Sequence, residues 1–255
     1  MRGRREPRYA RWSGIERDLR RTGVLLIAGV DEVGRGSLAG PVVASAVIMP
    51  PGVPAIRGVD DSKRLTRKER EKLHVRIRER ALAYGVGAAS VREIDTLNIF
   101  NASVLAMRRA LARLSLHPDH VLVDGRRLRT LGVEHTGVID GDAKCFNVAC
   151  ASILAKVTRD RLMTRLAARY PDFAWSSNCG YGTAEHVRGL TLRGATVHHR
   201  RLFVAHVEAR LRAGASLDEA GRIPLLPAAP ERPTFAPTHV RVEAVDCEPA
   251  HAVDA

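Results

Sequence analysis

The sequence of 255 residues predicts an α/β protein in which helices cover a mixed sheet. Two apolar, β-branched runs, residues 24–32 and 40–50, are separated by a glycine-rich turn, which is typical of neighbouring antiparallel strands. Farther along the chain, short apolar runs alternate with longer helical stretches, as in sheets that carry helices on their faces. The hydrophobic content of 45% is enough for a substantial core.

The remaining elements follow from two kinds of pattern. Stretches with apolar residues three or four positions apart indicate helices, and short apolar runs bounded by turn residues indicate strands. In the longest helical stretch Ala149, Ile153 and Val157 recur every four residues. The predicted helices cover residues 63–80, 95–114 and 143–170, and the further strands cover residues 81–91, 120–125 and 133–139.

The two ends of the chain differ in composition from its middle. Residues 1–22 carry eight arginines, with Trp12, Ile15 and Leu19 at roughly helical spacing, and are predicted as a basic extension with a short helix. Residues 215–255 hold six of the thirteen prolines and are predicted as a disordered, Pro/Ala-rich acidic tail. One folded domain is therefore expected over residues 23–214.

The charge of the chain indicates its kind of partner. The formal net charge is +13 and the pI is about 10.5, mostly from arginine, whose planar fork suits phosphate. The tail has seven acidic residues and three arginines, so the preceding 214 residues carry +17. A polyanionic partner is expected.

Cysteine usage and hydropathy indicate the compartment. The four cysteines have no C-x-x-C spacing and are interpreted as reduced thiols. No apolar run approaches the roughly 20 residues that cross a bilayer, and the arginine-rich start lacks the apolar core of a secretory signal. We expect a cytoplasmic protein with no membrane partner.

Acidic residues occur at three predicted strand ends or helix starts. Asp31 and Glu32 follow the first strand, Asp124 ends the strand at 120–125, and Asp142 precedes the long helix. Side chains at the carboxyl ends of neighbouring strands converge on one crevice. Clustered carboxylates repel one another unless a cation lies between them, and oxygen ligands favour Mg²⁺ or Mn²⁺. Two such ions can hydrolyse a phosphodiester.

A simpler interpretation of these acids also stays open. A single Asp at a strand end is commonly a turn former or helix cap, so Asp142 could be an ordinary N-cap. The nearby Asp140 could then take the ligand role instead of Asp142. The adjacent Asp31 and Glu32 are harder to explain in this way, because strand alternation directs one of them to the buried face. Spacing alone does not decide between a metal site and ordinary caps.

The order of the local motifs adds a resemblance to a known family. The motifs are GVDEVGRGSLAGPVVASAV, VDDSKRLTRKER, IDTLNIFNASVLAM, VLVDG, GDAKCFNVACASILAKVTRDRLM, YP and GYGTAEH. Together they resemble bacterial ribonuclease HII, the type 2 ribonuclease H family, over about residues 15–213. The resemblance implies a ribonuclease H-like fold, with a central mixed five-stranded sheet flanked by helices and a small helical C-terminal portion.

The resemblance also implies an activity. Such an enzyme is a monomeric endonuclease that cleaves the RNA strand of RNA/DNA hybrids and ribonucleotide-containing duplex DNA. It cuts on the 5′ side of the ribonucleotide at the RNA-to-DNA junction, leaves 3′-hydroxyl and 5′-phosphate ends, and serves ribonucleotide removal and RNA primer removal. It uses two Mn²⁺ or Mg²⁺ ions. The implied catalytic residues and metal ligands are Asp31, Glu32, Asp124 and Asp142, with Asp140 as a structural residue.

Five further residues match the family's substrate contacts. The turn Gly34, Arg35 and Gly36 is similar to the element that recognises the ribonucleotide 2′-hydroxyl, since glycine lets backbone groups approach the sugar closely. Tyr181 matches the tyrosine that stacks on the following deoxyribose, and Lys63 matches a phosphate contact. Without the family match, the ordinary interpretation of residues 34–36 would be a plain turn, and that of Lys63 a solvated lysine.

The sequence departs from the family pattern at two places, and three alternatives stay open. Asn178 and Cys179 replace the usual His-Lys pair, and Leu202 replaces a hydroxyl residue, which puts the affinity of the outer substrate groove in doubt. The alternatives are a nucleic-acid-binding protein without catalysis, ribonuclease HIII, and a DNA nuclease or recombinase on the same kind of sheet.

Overall fold

The computed structural model describes residues 9–214, and residues 1–8 and the predicted tail 215–255 lie outside them. Five strands form one mixed sheet in the order β3-β2-β1-β4-β5. β1 pairs antiparallel with β2, and β2 with β3, while β1, β4 and β5 run parallel. The strands are β1 (Ile27–Val33), β2 (Val42–Ile48), β3 (Ala83–Ala89), β4 (His120–Asp124) and β5 (His135–Val138). The predicted mixed five-stranded sheet is confirmed.

Nine α-helices are described in residues 9–214. Those before the last strand are α1 (Tyr9–Arg21), α2 (Arg67–Arg80), α3 (Val91–Leu97) and α4 (Ile99–Leu111). Those after it are α5 (Gly141–Lys144), α6 (Phe146–Ala167), α7 (Trp175–Asn178), α8 (Ala184–Arg193) and α9 (Arg201–Arg212). None of them is long and apolar enough to cross a membrane.

The core consists of two apolar layers, one on each face of the sheet. Ala28 and Val30 of β1 pack with α4 in one layer, and Val47 of β2 packs with α6 and α2 in the other. Strand alternation separates these layers. On β1, Gly29 lets α6 approach closely, because a Cβ there would lie 2.1 Å from the backbone carbon of Asn147.

The predicted helix over residues 95–114 is two helices, α3 and α4. They meet at Asn98, which has φ 69° and caps α4 through a side-chain bond from the Asn101 backbone N–H at 3.0 Å. With ψ 166°, this backbone lies outside the left-handed helical region and is one that glycine adopts far more readily than asparagine. A break at Asn98 turns the chain without a glycine or proline, so the sequence pattern did not show it.

The N-terminal helix packs against the start of α6. Trp12 is buried and meets the ring of Phe146 edge-on, with ring centroids 6.4 Å apart. Glu16 is also buried and accepts the backbone N–H of Asn147 at 2.8 Å. This acceptor satisfies one of the free N–H groups in the first turn of α6. α1 therefore supports the helix that covers β1.

Candidate active site

The four predicted ligands lie at the carboxyl ends of the three parallel strands. Asp31 and Glu32 are in the last three residues of β1, and Asp124 is the last residue of the neighbouring β4. Asp142 lies in α5, which begins three residues after β5. Parallel strands end on the same side of a sheet, so the topology brings the four residues to one place.

Burial and mutual repulsion affect these carboxylates. Asp31 and Asp142 are each only 6% exposed. Burial, followed by the charges of Glu32, Asp124 and Asp142, raises the pKa of Asp31 well above its usual range. Burial, followed by Asp61 and Asp124, raises the pKa of Asp142 to about 6. Glu32, Asp124 and Asp142 therefore lie close enough to Asp31 to disfavour its ionisation.

Each carboxylate has a protein partner. Asp31 Oδ1 accepts the backbone N–H of Glu32 at 2.7 Å, and Glu32 Oε1 accepts Nη1 of Arg35 at 3.1 Å. Asp124 Oδ1 accepts the backbone N–H of Gly141 at 2.7 Å. A separate ion pair joins Asp142 Oδ2 to Lys63 Nζ at 3.8 Å.

The donor chemistry fits hard divalent cations. Four carboxylates supply oxygen ligands of the kind that Mg²⁺ and Mn²⁺ prefer. Within residues 9–214, no three Asp, Glu, His or Cys side chains are already arranged as ligands around one ion. Each carboxylate has two oxygens, so Asp31 and Asp124 can keep their backbone N–H donors and still offer oxygen ligands to an ion.

The choice between Asp142 and Asp140 depends on their surroundings. Asp140 occupies a left-handed position with φ 56° and makes no side-chain cap to α5. Its exposed carboxylate lies 3.9 Å from Lys144 Nζ. Asp142 is buried and interacts electrostatically with Asp31 and Asp124. The fold thus brings Asp142 to the other acids and leaves Asp140 at the surface.

Two residues near the acids were not predicted. Asp61 hydrogen-bonds the Asp142 side chain, and its charge adds to the raised pKa of Asp142. The Ser152 hydroxyl hydrogen-bonds Asp31 and lies 2.9 Å from the Ser62 hydroxyl. Both Asp61 and Ser152 lie within the family motifs, but neither stands at a strand end, where the sequence pattern indicates a ligand.

The turn at Gly34, Arg35 and Gly36 directly follows β1 and is held by a buried arginine. Arg200 donates to the carbonyls of Gly34 at 2.6 Å, Arg35 at 2.7 Å and Gly40 at 2.9 Å. The Arg35 side chain is half exposed and pairs with Glu32. The turn and the acids are thus linked through the Arg35–Glu32 pair.

The loop that carries Tyr181 lies beside this turn. The Leu38 backbone N–H donates to the Gly180 carbonyl at 2.8 Å. Nζ of Lys156 lies 5.9 Å from the centroid of the Tyr181 ring, within the range of a cation–π contact. The fold therefore brings Tyr181 and the glycine-arginine-glycine turn together.

A buried aromatic and histidine cluster supports Tyr181 from behind. His186 Nδ1 donates to the Tyr181 carbonyl at 2.9 Å, which leaves Nε2 to accept the Trp175 indole N–H at 3.0 Å. His199 Nε2 also lies 3.0 Å from His186 Nε2, and His199 Nδ1 accepts the Thr196 backbone N–H at 2.9 Å. These bonds assign a neutral tautomer to each histidine.

The two departures from the family pattern have different surroundings. Asn178 is buried, donates to the Phe173 carbonyl at 2.8 Å and accepts the Gly180 backbone N–H at 2.8 Å. It therefore shapes the Tyr181 loop. The neighbouring Cys179 is a buried free thiol, whereas Leu202 is 67% exposed at the start of α9.

The comparison with protein families agrees with this arrangement. Residues 28–206 match the family model described as ribonuclease HII. The matched residues run from β1 to α9 and include all nine predicted site residues. The chain belongs to the ribonuclease HII family. A member of this family is a ribonuclease H, an endonuclease acting on RNA/DNA hybrids, so the activity is that of a nuclease.

Individual relatives give the same result. The chain is 50% identical over 192 residues to ribonuclease HII of Paraburkholderia xenovorans (strain LB400), covering 75% of this chain and 77% of the relative. It is 54% identical over 182 residues to ribonuclease HII of Granulibacter bethesdensis (strain ATCC BAA-1260 / CGDNIH1), covering 70% and 83%. These matches favour ribonuclease HII over the alternatives that the motifs left open.

Solved structures share the fold. The crystal structure of ribonuclease H2 from Pyrococcus horikoshii OT3 aligns with a TM-score of 0.63 and 29% identity, covering 74% of this chain and 99% of that one. A structure of Bst-RNase HIII in complex with Mn²⁺ aligns with a TM-score of 0.57, covering 74% of this chain and 70% of that one. At 20% identity, this likeness concerns the fold only.

Proposed function

We propose that this protein cleaves duplex DNA at an embedded ribonucleotide, on the 5′ side of the ribonucleotide at the RNA-to-DNA junction, as well as the RNA strand of longer hybrids. The products would carry 3′-hydroxyl and 5′-phosphate ends. Residues 23–214 would be the catalytic domain. In the cell, we assign the enzyme to ribonucleotide removal from DNA and RNA primer removal in the cytoplasm.

One observation carries the proposal: the interacting carboxylates adjoin the glycine-arginine-glycine turn through Glu32 and Arg35, and the segment after this turn is bonded to the Tyr181 loop. Glu32 is separated from Gly34 by a single residue, and the Leu38–Gly180 bond joins the turn region to the Tyr181 loop. Residues for phosphodiester chemistry and residues for sugar recognition are therefore adjacent. A nuclease that selects its cleavage site by the sugar needs this adjacency.

The proposed metal ligands are Asp31, Glu32, Asp124 and Asp142. Two Mn²⁺ or Mg²⁺ ions, when bound, would supply an activated water and stabilise the charge that develops on the leaving oxygen. The protein's own part is to keep the carboxylates together despite their repulsion. The Gly141 N–H holds Asp124, and the backbone N–H of Glu32 holds Asp31.

The substrate contacts follow from positions beside the acids. Backbone groups of Gly34 and Gly36 would recognise the 2′-hydroxyl, and Tyr181 would stack on the next deoxyribose, where a further 2′-hydroxyl would be obstructed. Arg35 and Lys63 now pair with Glu32 and Asp142. Their side chains are 49% and 82% exposed, so both cations would be free to turn toward a phosphate of the substrate.

A substrate panel tests the proposal. End-labelled duplexes with one ribonucleotide, with a continuous RNA strand, and with DNA alone are incubated with Mg²⁺, with Mn²⁺, or with chelator. We expect cleavage of the first two substrates in the metals, with a single cut 5′ to the embedded ribonucleotide, and no cleavage in chelator. Equal cleavage of the all-DNA duplex, or activity in chelator, would contradict the proposal.

A further inference from the structure

Two loops that the proposed function uses are joined into one unit. The turn loop is residues 34–41, and the tyrosine loop is residues 178–182. The Gly180 carbonyl accepts the backbone N–H groups of Leu38 at 2.8 Å and Ala39 at 3.3 Å. Gly180 has φ 83°, and a Cβ there would lie 2.6 Å from the Ala39 carbonyl oxygen. The two loops therefore touch backbone to backbone.

Arg159 of α6 lies between the two loops and is fully buried. Its guanidinium donates to the turn loop through Nε, to the Pro41 carbonyl at 2.9 Å, and through Nη2, to the Ala39 carbonyl at 3.1 Å. Through Nη1 it donates to the Cys179 carbonyl of the tyrosine loop at 2.9 Å. One rigid side chain thus binds both loops at once.

The same side chain also contacts the residues proposed to recognise the sugars. A Cβ built on Gly34 would lie 2.1 Å from Nε of Arg159, so the turn packs directly on the guanidinium. On the other side, the guanidinium carbon of Arg159 lies 5.7 Å from the centroid of the Tyr181 ring. The separation between Gly34 and Tyr181 therefore includes the width of this group.

Arg200 provides an internal comparison. It is equally buried, but the carbonyls that its guanidinium binds, those of Gly34, Arg35 and Gly40, all belong to the turn loop. Arg200 stabilises one loop, whereas Arg159 connects two. A planar guanidinium presents donors in fixed directions, which the single ammonium of lysine does not reproduce.

We propose that Arg159 is a positioning residue that sets the separation between the turn loop and Tyr181 and thereby determines selectivity for RNA-to-DNA junctions over continuous RNA. This inference rests on the proposed function. Arg159 acts through the two loops and has no contact of its own with substrate. A lysine at this position keeps a positive charge but loses the three-way connection.

The test is a double-mutant cycle on kcat/KM, using the full chain with Mn²⁺. Tyr181→Ala, Arg159→Lys and the double variant are compared with the parent on a duplex with one ribonucleotide and on a long hybrid. In the parent, Tyr181→Ala is expected to lower junction cleavage by roughly tenfold or more, the range of a lost stacking contact. In the Arg159→Lys background the same change should cost less than about threefold, because the ring is already misplaced.

A matched control is Arg161→Lys, two residues farther along α6. Arg161 is half-buried and pairs with Glu71 instead of with the loops. Tyr181→Ala should cost the same in this background as in the parent. If Arg159→Lys does not reach the folded state by circular dichroism, Arg159→Gln replaces it in the same cycle, because glutamine keeps a planar donor group without the charge.

The outcomes separate the two proposals. If the parent cuts the junction and Tyr181→Ala costs the same factor in the Arg159→Lys background as in the parent, the inference is wrong while the proposed function stands. A smaller cost in the Arg159→Lys background, with the control unchanged, supports it. A parent that does not cut at the ribonucleotide overturns both proposals. A parent that cuts there without depending on Tyr181 overturns the inference and the role of Tyr181, but not the cleavage activity.

Discussion

The backbone N–H of Gly141 donates to Oδ1 of Asp124 across 2.7 Å, so the last residue of β4 is tied to the residue before Asp142. The carboxylate of Asp124 therefore has a structural role as a hydrogen-bond acceptor and a proposed chemical role as a metal ligand. Asparagine keeps an acceptor oxygen but loses the charge, whereas alanine loses both. The two substitutions separate the two roles.

We expect Asp124→Asn to keep the free energy of unfolding close to that of the parent, and Asp124→Ala to lower it by about 1–3 kcal/mol, the cost of an unpaired donor. Both should lower kcat/KM by more than roughly a hundredfold. Loss of a residue that merely supports a metal ligand can lower activity by up to about a hundredfold, and loss of a ligand should cost more. Urea unfolding and cleavage of a labelled hybrid measure the two effects. Substantial activity in Asp124→Asn would remove Asp124 from the ligand set.

Gly34→Ala tests the contact between the turn and Arg159. Gly34 has φ 91°, and the added Cβ would lie 2.1 Å from Nε of Arg159. Gly23→Ala is the matched control, because Gly23 has φ 95° with nothing within 4 Å. The control should lose about 1–2 kcal/mol of unfolding free energy from backbone strain alone. Gly34→Ala should lose more and should also lower kcat/KM; equal losses would contradict the tight packing.

Glu16 should make the protein less stable as the pH rises toward neutral. Burial, opposed by the Asn147 backbone bond and Arg20, raises the pKa of Glu16 from 4.5 to about 7. The folded state keeps a proton that the unfolded state releases, so the free energy of unfolding falls between pH 4.5 and about 7, by at most about 1.4 kcal/mol per pH unit.

Glu16→Gln should remove this part of the pH dependence, because glutamine is neutral and can still accept the Asn147 backbone N–H. Relative to the parent, the variant should gain stability as the pH rises from 4.5 to about 7 and keep that gain above it. Chemical unfolding at several pH values measures the difference. A difference that does not vary with pH would show that Glu16 is ionised in the folded protein.

His199 should make the protein less stable as the pH falls below about 6.5, the opposite of the effect of Glu16. Burial, followed by the neighbouring His186 and His198, lowers the pKa of His199 from 6.5 to about 3. The unfolded state then takes up a proton that the folded state refuses, so the free energy of unfolding falls as the pH drops from 6.5 toward 3, by at most about 1.4 kcal/mol per unit.

His199→Gln should be less stable than the parent at neutral pH, since the bond to His186 is altered, but its stability should decline less steeply in acid. Thermal unfolding between about pH 7 and about pH 5 compares the slopes. His74, whose pKa burial lowers to about 4, contributes the same slope to both proteins. Parallel curves would mean that His199 is not kept neutral by the fold.

The strand-end acids were predictable from the sequence because topology places them. Asp31, Glu32, Asp124 and Asp142 follow or flank apolar strands, and parallel pairing of β1, β4 and β5 brings them to one end of the sheet. Their assignment as ligands came from the family resemblance and stays a prediction, as does that of the substrate contacts.

The buried arginines and the helix break were not predictable in the same way. Arg159 and Arg200 are two of many arginines in a basic chain, and their burial depends on carbonyl groups from loops more than 100 residues earlier. Asn98 breaks a helical pattern by adopting φ 69°, a backbone conformation that the neighbouring sequence does not indicate. For the arginines, tertiary contacts decide what local sequence leaves open.

The most direct test of the central claim is the activity of Asp31→Asn on a labelled duplex that carries one ribonucleotide, in Mn²⁺. Asparagine matches the shape of Asp31, keeps an acceptor for the Glu32 N–H and removes a buried charge, so the variant should fold at least as stably as the parent. We expect a single cut by the parent 5′ to the ribonucleotide and a loss of more than roughly a hundredfold in the variant. A folded variant that cuts at the parent rate would contradict the claim.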